Sequence, residues 1–531
     1  MVGGPVVRER KTPEETTRVR VAVVGAGFSG LSVAHALREA GERDFVVLER
    51  AGRVGGVWRE NVYPGVACDV PSHLYSLSFA PNPDWARSFS EGEEIQRYLE
   101  WVARTRGLLS WIRFGEELLY AGWNDAEERW EIETTTGELA ANVLVLCAGP
   151  LTEPIYPSVK GLESFRGATL HTSRWNREHD FTGQRVAVVG TGASAVQVVP
   201  ELQRVAKKLT VFQRTPGWVV ARPDRRVSGS ERSVLRRFPA LTKLYRAKQF
   251  LVRDGLNYRM IRRNPLVRRL FQKASRDLLE EQIKDLELRR KLTPNYEIGC
   301  KRVLISSDFY PALASENVEL VASAVREIRE GSLVAADGTE HPADAIVFAT
   351  GFDTTSPTVY KRVRGREGLT LDQAWSGEPR FHRATAISGF PNLFNVCGPG
   401  TGSGHGSMVF KAESQTAYIT DALRLMRKQN ISTVEVSREA QDRYMRRVGE
   451  DLDRTVWARG GCDSWYLDTA GRPSLMWPRT MWGFRRMLSR FDRENYILRY
   501  APAHSKGSPD GDKPQTVPAG VAPTGGEEAH R

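Results

Sequence analysis

One pattern occurs twice in this chain and limits its fold more than any other feature. Val21-Ala22-Val23-Val24 runs into Gly25-Ala26-Gly27-Phe28-Ser29-Gly30, then a helical stretch to Ala40, then the strand Phe45-Val46-Val47-Leu48 closing at Glu49. Far downstream, Val186-Ala187-Val188-Val189 runs into Gly190-Thr191-Gly192-Ala193-Ser194-Ala195, a second helical stretch, and the strand Leu209-Thr210-Val211-Phe212 followed by Gln213, Arg214 and Thr215. Each block reads strand, tight glycine turn, helix, strand, which is the setting in which such a turn holds a dinucleotide. The first glycine permits the turn and the second lets backbone approach a pyrophosphate. The third position must be small for the helix to pack on the strand, and Ala195 fills it in the second block. Free N–H groups and the positive dipole end at the helix start favour phosphate. The pair predicts an α/β chain with two Rossmann-like dinucleotide-binding domains.

The blocks differ where they tell nucleotides apart. Glu49 lies 24 residues beyond Gly25, at the end of the second strand, where a carboxylate accepts hydrogen bonds from ribose hydroxyls. Arg214 lies the same 24 residues beyond Gly190, while matching the strands VVLER and TVFQR sets Gln213 under Glu49. In either alignment the acid is gone and an arginine is present, as a 2′-phosphate requires. The first site is read as preferring FAD or NAD, the second NADP.

The remaining organisation follows from composition along the chain. At 531 residues with 40% apolar side chains, the chain is long enough for two or three cores. The reading places a disordered tail at 1–17, the first part of an FAD-binding domain at 18–150 and the first part of an NADP-binding domain at 151–222. A helical insertion follows at 223–295, then the second parts of the NADP-binding domain at 296–389 and of the FAD-binding domain at 390–502, and a disordered tail at 503–531. The insertion is dense in Arg, Leu, Glu and Lys. A basic amphipathic helix of this kind can lie on a membrane surface, but charges interrupt its apolar faces, so packing against the core or a substrate cleft is favoured. No apolar run of eighteen residues occurs, so no membrane span is expected, and the polar N-terminus does not read as a signal peptide. The 61 Arg and 15 Lys behind the +12 charge are scattered, which argues against a nucleic-acid patch. Five widely spaced cysteines without a CxxC argue against a disulfide scaffold, a structural zinc site and a dithiol redox pair, and suit a reducing cytoplasm. No metal site is expected.

Longer motifs connect these parts. Gly55-Gly56-Val57-Trp58 through Tyr63-Pro64-Gly65 to Asp69 fulfils GGxWxxxxYPGxxxD, and Phe165 to Trp175, with His171 inside it, fulfils FxGxxxHxxxW. With the two glycine turns, the chain resembles the class B flavoprotein monooxygenases, and most closely the Baeyer–Villiger monooxygenases, over about residues 18–500. Gly299-Cys300-Lys301-Arg302 resembles the family segment carrying an active-site arginine. Ser464-Trp465 through Gly471-Arg472 resembles a mobile loop whose tryptophan closes over NADP. Gly398-Pro399-Gly400-Thr401 through Gly404-His405-Gly406-Ser407 resembles the flavin-facing turn of the aryl-ketone and long-chain subgroup. The chain departs from the family at Asn176, at Gly400 and at Asp468-Thr469-Ala470.

The resemblance implies a cofactor set and a chemistry. FAD contacts fall on Gly25, Gly27, Ser29, Gly30, Glu49, Gly55, Gly56, Val57, Trp58, Asp69 and Tyr75; NADP contacts fall on Gly190, Thr191, Gly192, Ala193, Ser194, Ala195, Gln197, Arg214, Thr215, Lys301, Arg302 and Trp465. The implied reaction has NADPH reduce FAD, O2 add to give a C4a-peroxyflavin, and a ketone become an ester or lactone. The partners are thus a small-molecule ketone and O2. Arg302 suits the cation beside an anionic peroxide because a guanidinium stays protonated, and Asp69 can hold it through a charge-assisted pair. His171, read as lying in the linker between the nucleotide domains, is expected to act conformationally, and His405 as part of the cofactor loop. Cys68 reads as a small packed residue. Oxidation of sulfur or nitrogen by the same cofactors is the alternative, with a flavin-dependent reductase or oxidase behind it.

Overall fold

The structure, a computed structural model, describes residues 17–404 and 406–502. The readings for 1–16, 503–531 and His405 lie outside the described residues. Thr17, assigned to the tail from sequence, already pairs with Leu139 as the first residue of the strand Thr17–Val24.

The two βαβ blocks nucleate two separate sheets. The first strand, Thr17–Val24, lies parallel between Phe45–Glu49 and Glu138–Leu146 in an eight-stranded sheet. Antiparallel strands Leu118–Asn124 and Arg129–Thr134 extend its far side. The second block forms an all-parallel five-stranded sheet, in the order Val318–Val321, Lys208–Phe212, Arg185–Val189, Ala345–Phe348, Ala168–His171. Parallel strands covered on both faces are expected to be apolar throughout, and Val186 to Val189 are all buried. Because successive side chains point to opposite faces, Val186 and Val188 enter one core while Ala187 and Val189 enter another.

The chain leaves the first sheet after Leu146, builds the second, and returns. Val363–Arg364 pairs with Ala121–Gly122, so the return precedes the boundary at 390 read from sequence. Two paired residues carry too little periodicity to be seen as a strand. Leu393–Asn395 then joins Leu144–Leu146. Between Gly229 and Leu292 the chain forms four helices, of which Pro239–Ile261 and Pro265–Gln282 are the longest. The segment around His171, read as an interdomain linker, ends an edge strand of the second sheet. Among the described residues no helix is long and apolar enough to cross a membrane.

Candidate active site

The first glycine turn has no room for a side chain where it meets the sheet. Gly25 has φ +102°, and a Cβ there would come within 2.7 Å of the Cys147 carbonyl oxygen. A Cβ on Gly30 would strike the Gly25 carbonyl. The outer surface of the turn is different. A Cβ on Gly27 would meet only Gly56 within 4 Å, at 3.6 Å, so the turn and the Gly55-Gly56 segment face each other as bare backbone. Val57 and Trp58 follow in a short helix, Val57–Glu60. Trp58 Nε1 donates to the Tyr75 hydroxyl at 3.2 Å, and Phe28 stands edge-on to Tyr75 at 5.0 Å. Ser29 reaches toward Cys397 on the returning segment.

Glu49 is buried, and one of its oxygens accepts from Ala26 N at 2.9 Å within the turn itself. The other accepts from Ala51 N at 3.0 Å and lies 3.0 Å from Arg59 Nη1. The carboxylate therefore braces the cradle at the position where it would meet a ribose. Arg59, buried beside the GGxW segment, was not picked out by the sequence reading.

The second turn repeats this construction. Gly190 has φ +106°, and its Cβ would come within 2.6 Å of the Ala349 carbonyl oxygen. Gly192 and Ala193 are exposed, and a Cβ on Gly192 would meet nothing within 4 Å. Thr191 and Ser194 are half-buried, and Ala195 opens the helix Ala195–Gln203 with its side chain in the core. Arg214 is largely exposed, 3.9 Å from Asp463, and Thr215 follows it half-buried. Lys301 lies 5.4 Å from the centre of the Tyr296 ring, and burial followed by the charge of Arg214 holds its ammonium below the ordinary lysine range. Two cations brought close enough to repel need an anion, and a 2′-phosphate is one. Gln213 is buried and donates to the Lys291 carbonyl at 2.8 Å, which leaves Arg214 as the group facing outward.

Gln197, which the resemblance sets among the NADP contacts, reaches the first domain. Its Oε1 accepts from the Tyr63 hydroxyl at 2.8 Å and its Nε2 donates to the Ala67 carbonyl at 2.9 Å. The amide is thus engaged in joining the second domain to the YPG segment of the first.

Where the two domains meet, Arg302 Nε and Nη2 donate to one oxygen of Asp69 at 2.9 and 2.6 Å. The side chains remain 28 and 27% exposed, so the pair faces space a ligand can enter. Asp69, and against it burial, set the arginine's titration, with the net effect of raising it and fixing the charge. Tyr466, fully buried beside Arg302, is pushed up to about 12 by burial and stays protonated. Beside it Trp465 is half exposed, its ring 4.6 Å from that of Tyr466.

A disulfide between Cys300 and Cys462 holds these two loops together, with Cα atoms 6.2 Å apart across 162 residues of sequence. The sequence argued only against a disulfide scaffold and a dithiol pair and did not pick out this single long-range bond: spacing along the chain carries no record of a contact made through the tertiary fold. Cys68, Cys147 and Cys397 are free and buried. Among the described residues no cluster could hold a metal ion.

Two open glycine cradles, one marked by an acid and one by converging cations, with a fixed guanidinium between them, define a flavin- and nicotinamide-dependent oxidoreductase. The comparisons agree. The model of the flavin-binding monooxygenase-like (FMO-like) family matches residues 18–364. A Baeyer–Villiger monooxygenase of Streptomyces coelicolor is 50% identical over 487 residues, 91% of this chain and 94% of that protein. Another from Pseudomonas aeruginosa is 41% identical over 512 residues, 96% and 97% of the two chains. Among solved structures, cyclohexanone monooxygenase from Rhodococcus bound to NADP+ matches with a TM-score of 0.82 at 27% identity, covering 92% of this chain and 100% of that one. The chain belongs to the flavin-binding monooxygenase-like family, among its Baeyer–Villiger monooxygenases, and its cofactors are FAD and NADPH.

Three outcomes follow from this geometry. Gly27→Val should purify without flavin colour, because its side chain would fill the space between the turn and Gly56; absorbance near the flavin bands measures occupancy. Arg214→Ala should raise the KM for NADPH far more than that for NADH, by about 1.5–3 kcal/mol in binding if one charge-assisted phosphate contact is lost; initial-rate kinetics with both nucleotides decide it. His171 is buried, with Nδ1 2.9 Å from Ser173 Oγ, and burial followed by the Arg174 charge lowers its pKa to about 4. The unfolded chain therefore takes up this proton first as pH falls through the ordinary histidine range. Stability supplied by neutral His171 should be complete above about pH 6.5 and shrink toward pH 4, by up to about 3 kcal/mol. Chemical denaturation of wild type and His171→Gln across that window should show a shallower loss in the variant.

Proposed function

We propose that this enzyme inserts one atom of O2 beside the carbonyl of a ketone to give an ester or lactone, with Arg302 at the reacting atoms and Asp69 as its positioning residue. The observation that carries the reading is the Arg302–Asp69 pair, partly open to a ligand at the junction of the two dinucleotide cradles. Bound FAD and NADPH supply the electrons and the oxygen chemistry.

The chain's own part is electrostatic and positional. Asp69 binds the Nε and Nη2 side of the guanidinium with one oxygen, which fixes its plane and turns the Nη1 side away from the carboxylate. A preoriented cation needs no reorganisation when negative charge develops beside it. Tyr466 adds a neutral phenol on the buried side of Arg302. Trp58, Tyr75 and Phe28 form an aromatic wall near the first turn that limits water there. Lys301 and Arg214 address the NADPH 2′-phosphate, and the Cys300–Cys462 bond keeps the Trp465 loop beside them.

Arg302→Ala should keep FAD, since neither glycine turn is touched, yet lose ester formation by about a hundredfold or more, the scale of removing one oxyanion donor. NADPH oxidation should then release hydrogen peroxide in place of product. Arg302→Lys should recover little, because an ammonium lacks the planar fork. Incubation with a panel of ketones and sulfides, with product and peroxide both quantified, tests this. Wild-type ester yield from Arg302→Ala removes the residue from the chemistry, and sulfoxides without esters from the wild type replace the ketone reading.

A further inference from the structure

The helical insertion has one side that the site does not use. From 232 to 276 the sequence holds fourteen Lys and Arg against one acidic residue, Asp254, and Asp254 is buried with an oxygen accepting from Met481 N. The chain's whole formal charge is +12, so this stretch is formally as positive as the whole chain, with six of its cations ion-paired and Asp277, Glu280 and Glu281 following at the end of its last helix.

The helix Pro239–Ile261 has two faces. The inner one packs on the protein: Arg246 donates to the Ser76 carbonyl at 2.6 Å, and Phe250 stacks on Phe410 at 4.6 Å. On the outer face Leu241, Leu244, Lys248 and Leu251 follow three- and four-residue spacing, and Val252 and Arg259, four and eleven residues beyond Lys248, fall on the same side, which makes one stripe. Leu244 and Leu251 are each 67% exposed. The next helix, Pro265–Gln282, adds Leu266 and Leu270 one turn apart, 73 and 60% exposed. Among the described residues no carboxylate lies within ion-pair distance of Lys243, Lys248, Arg259 or Arg269. Isolated exposed leucines are ordinary, but several on consecutive helices beside cations that no carboxylate pairs are not.

We propose that this surface docks the enzyme on an anionic lipid membrane, with the leucines entering the headgroup–acyl boundary and the lysines and arginines meeting the lipid phosphates. The chemistry fits that partner better than others. A second copy would bring two strongly basic surfaces together, and nucleic acid offers nothing to bury the leucines. Each basic side chain near a negatively charged surface adds attraction that salt screens. The helix lies in the membrane plane, its inner face holding the 73–76 segment that follows Asp69. A ketone dissolved in the bilayer would then reach the site without crossing bulk water.

The test uses the full-length FAD-loaded enzyme in flotation with phosphatidylserine–phosphatidylcholine vesicles and with phosphatidylcholine vesicles alone. Binding is expected to the anionic vesicles, to weaken at high salt, and to fall about tenfold or more in Leu244→Glu/Leu251→Glu, while flavin content and turnover of a water-soluble ketone stay at wild-type values. Lys243→Gln/Lys248→Gln, which leaves the leucines in place, should lose the preference for anionic lipid. Absence of vesicle binding at low salt overturns the proposal. So does vesicle binding by Leu244→Glu/Leu251→Glu equal to wild type, or a wild-type oligomer that this variant splits without any lipid association.

Discussion

Both halves of the molecule depend on one close approach: a glycine Cα set against the carbonyl that ends a neighbouring parallel strand. At Gly25 the partner is Cys147 and at Gly190 it is Ala349, and in each case a Cβ would come within 2.7 or 2.6 Å of the oxygen. The hydrogen bonds around the contact repeat as well. Gly25 N donates to Leu48 O and Cys147 N to Val24 O; Gly190 N donates to Phe212 O and Ala349 N to Val189 O. With no side chain at the crossing, the helix start is drawn over the strand ends and bare backbone is left facing outward. The cradle is therefore a by-product of how the sheet closes, and the groups that distinguish the two nucleotides are added at its rim.

The charges around the two cradles fall into two kinds. Arg59 with Glu49 and Arg302 with Asp69 are cations matched to a carboxylate, which fixes their orientation. Lys301 and Arg214 are cations set close to each other, with the exposed Asp463 3.9 Å from Arg214. The first arrangement makes a rigid fork, and the second, two cations to one exposed carboxylate, leaves a net positive field. One suits a group that must stand still beside reacting atoms, and the other suits recognition of a phosphate.

Sequence made legible whatever is encoded locally. The glycine turns, the acid at Glu49 and the arginine at Arg214 all sit within a few dozen residues of their turns, where strand and helix periods fix their positions. Arg302 and Asp69 are far apart in sequence, and only the family motifs set them together. What escaped notice was set by contacts between distant segments. Gln197 stands on a helix that reads as nucleotide-binding, yet its amide joins Tyr63 and Ala67. His171, read as lying in a linker, ends an edge strand. Val363–Arg364 returns to the first sheet in two residues, too few to display an alternation. The outer leucines of the insertion were hidden by the charges between them, because a composition-based reading averages over a face that the helix separates.

The Cys300–Cys462 bond has a topological consequence. It closes a covalent ring that starts beside Arg302, runs through the edge strand Val318–Val321 and the inner strand Ala345–Phe348 of the second sheet, crosses back to the first sheet at Val363, and ends at the Trp465 loop. The two nucleotide domains are thereby members of one loop and not merely neighbours on one string. For a ring of this length, chain entropy alone disfavours the unfolded state by about 5 kcal/mol relative to the open chain. Reduction removes that constraint and leaves the Trp465 loop held to the Arg302 segment by non-covalent contacts alone.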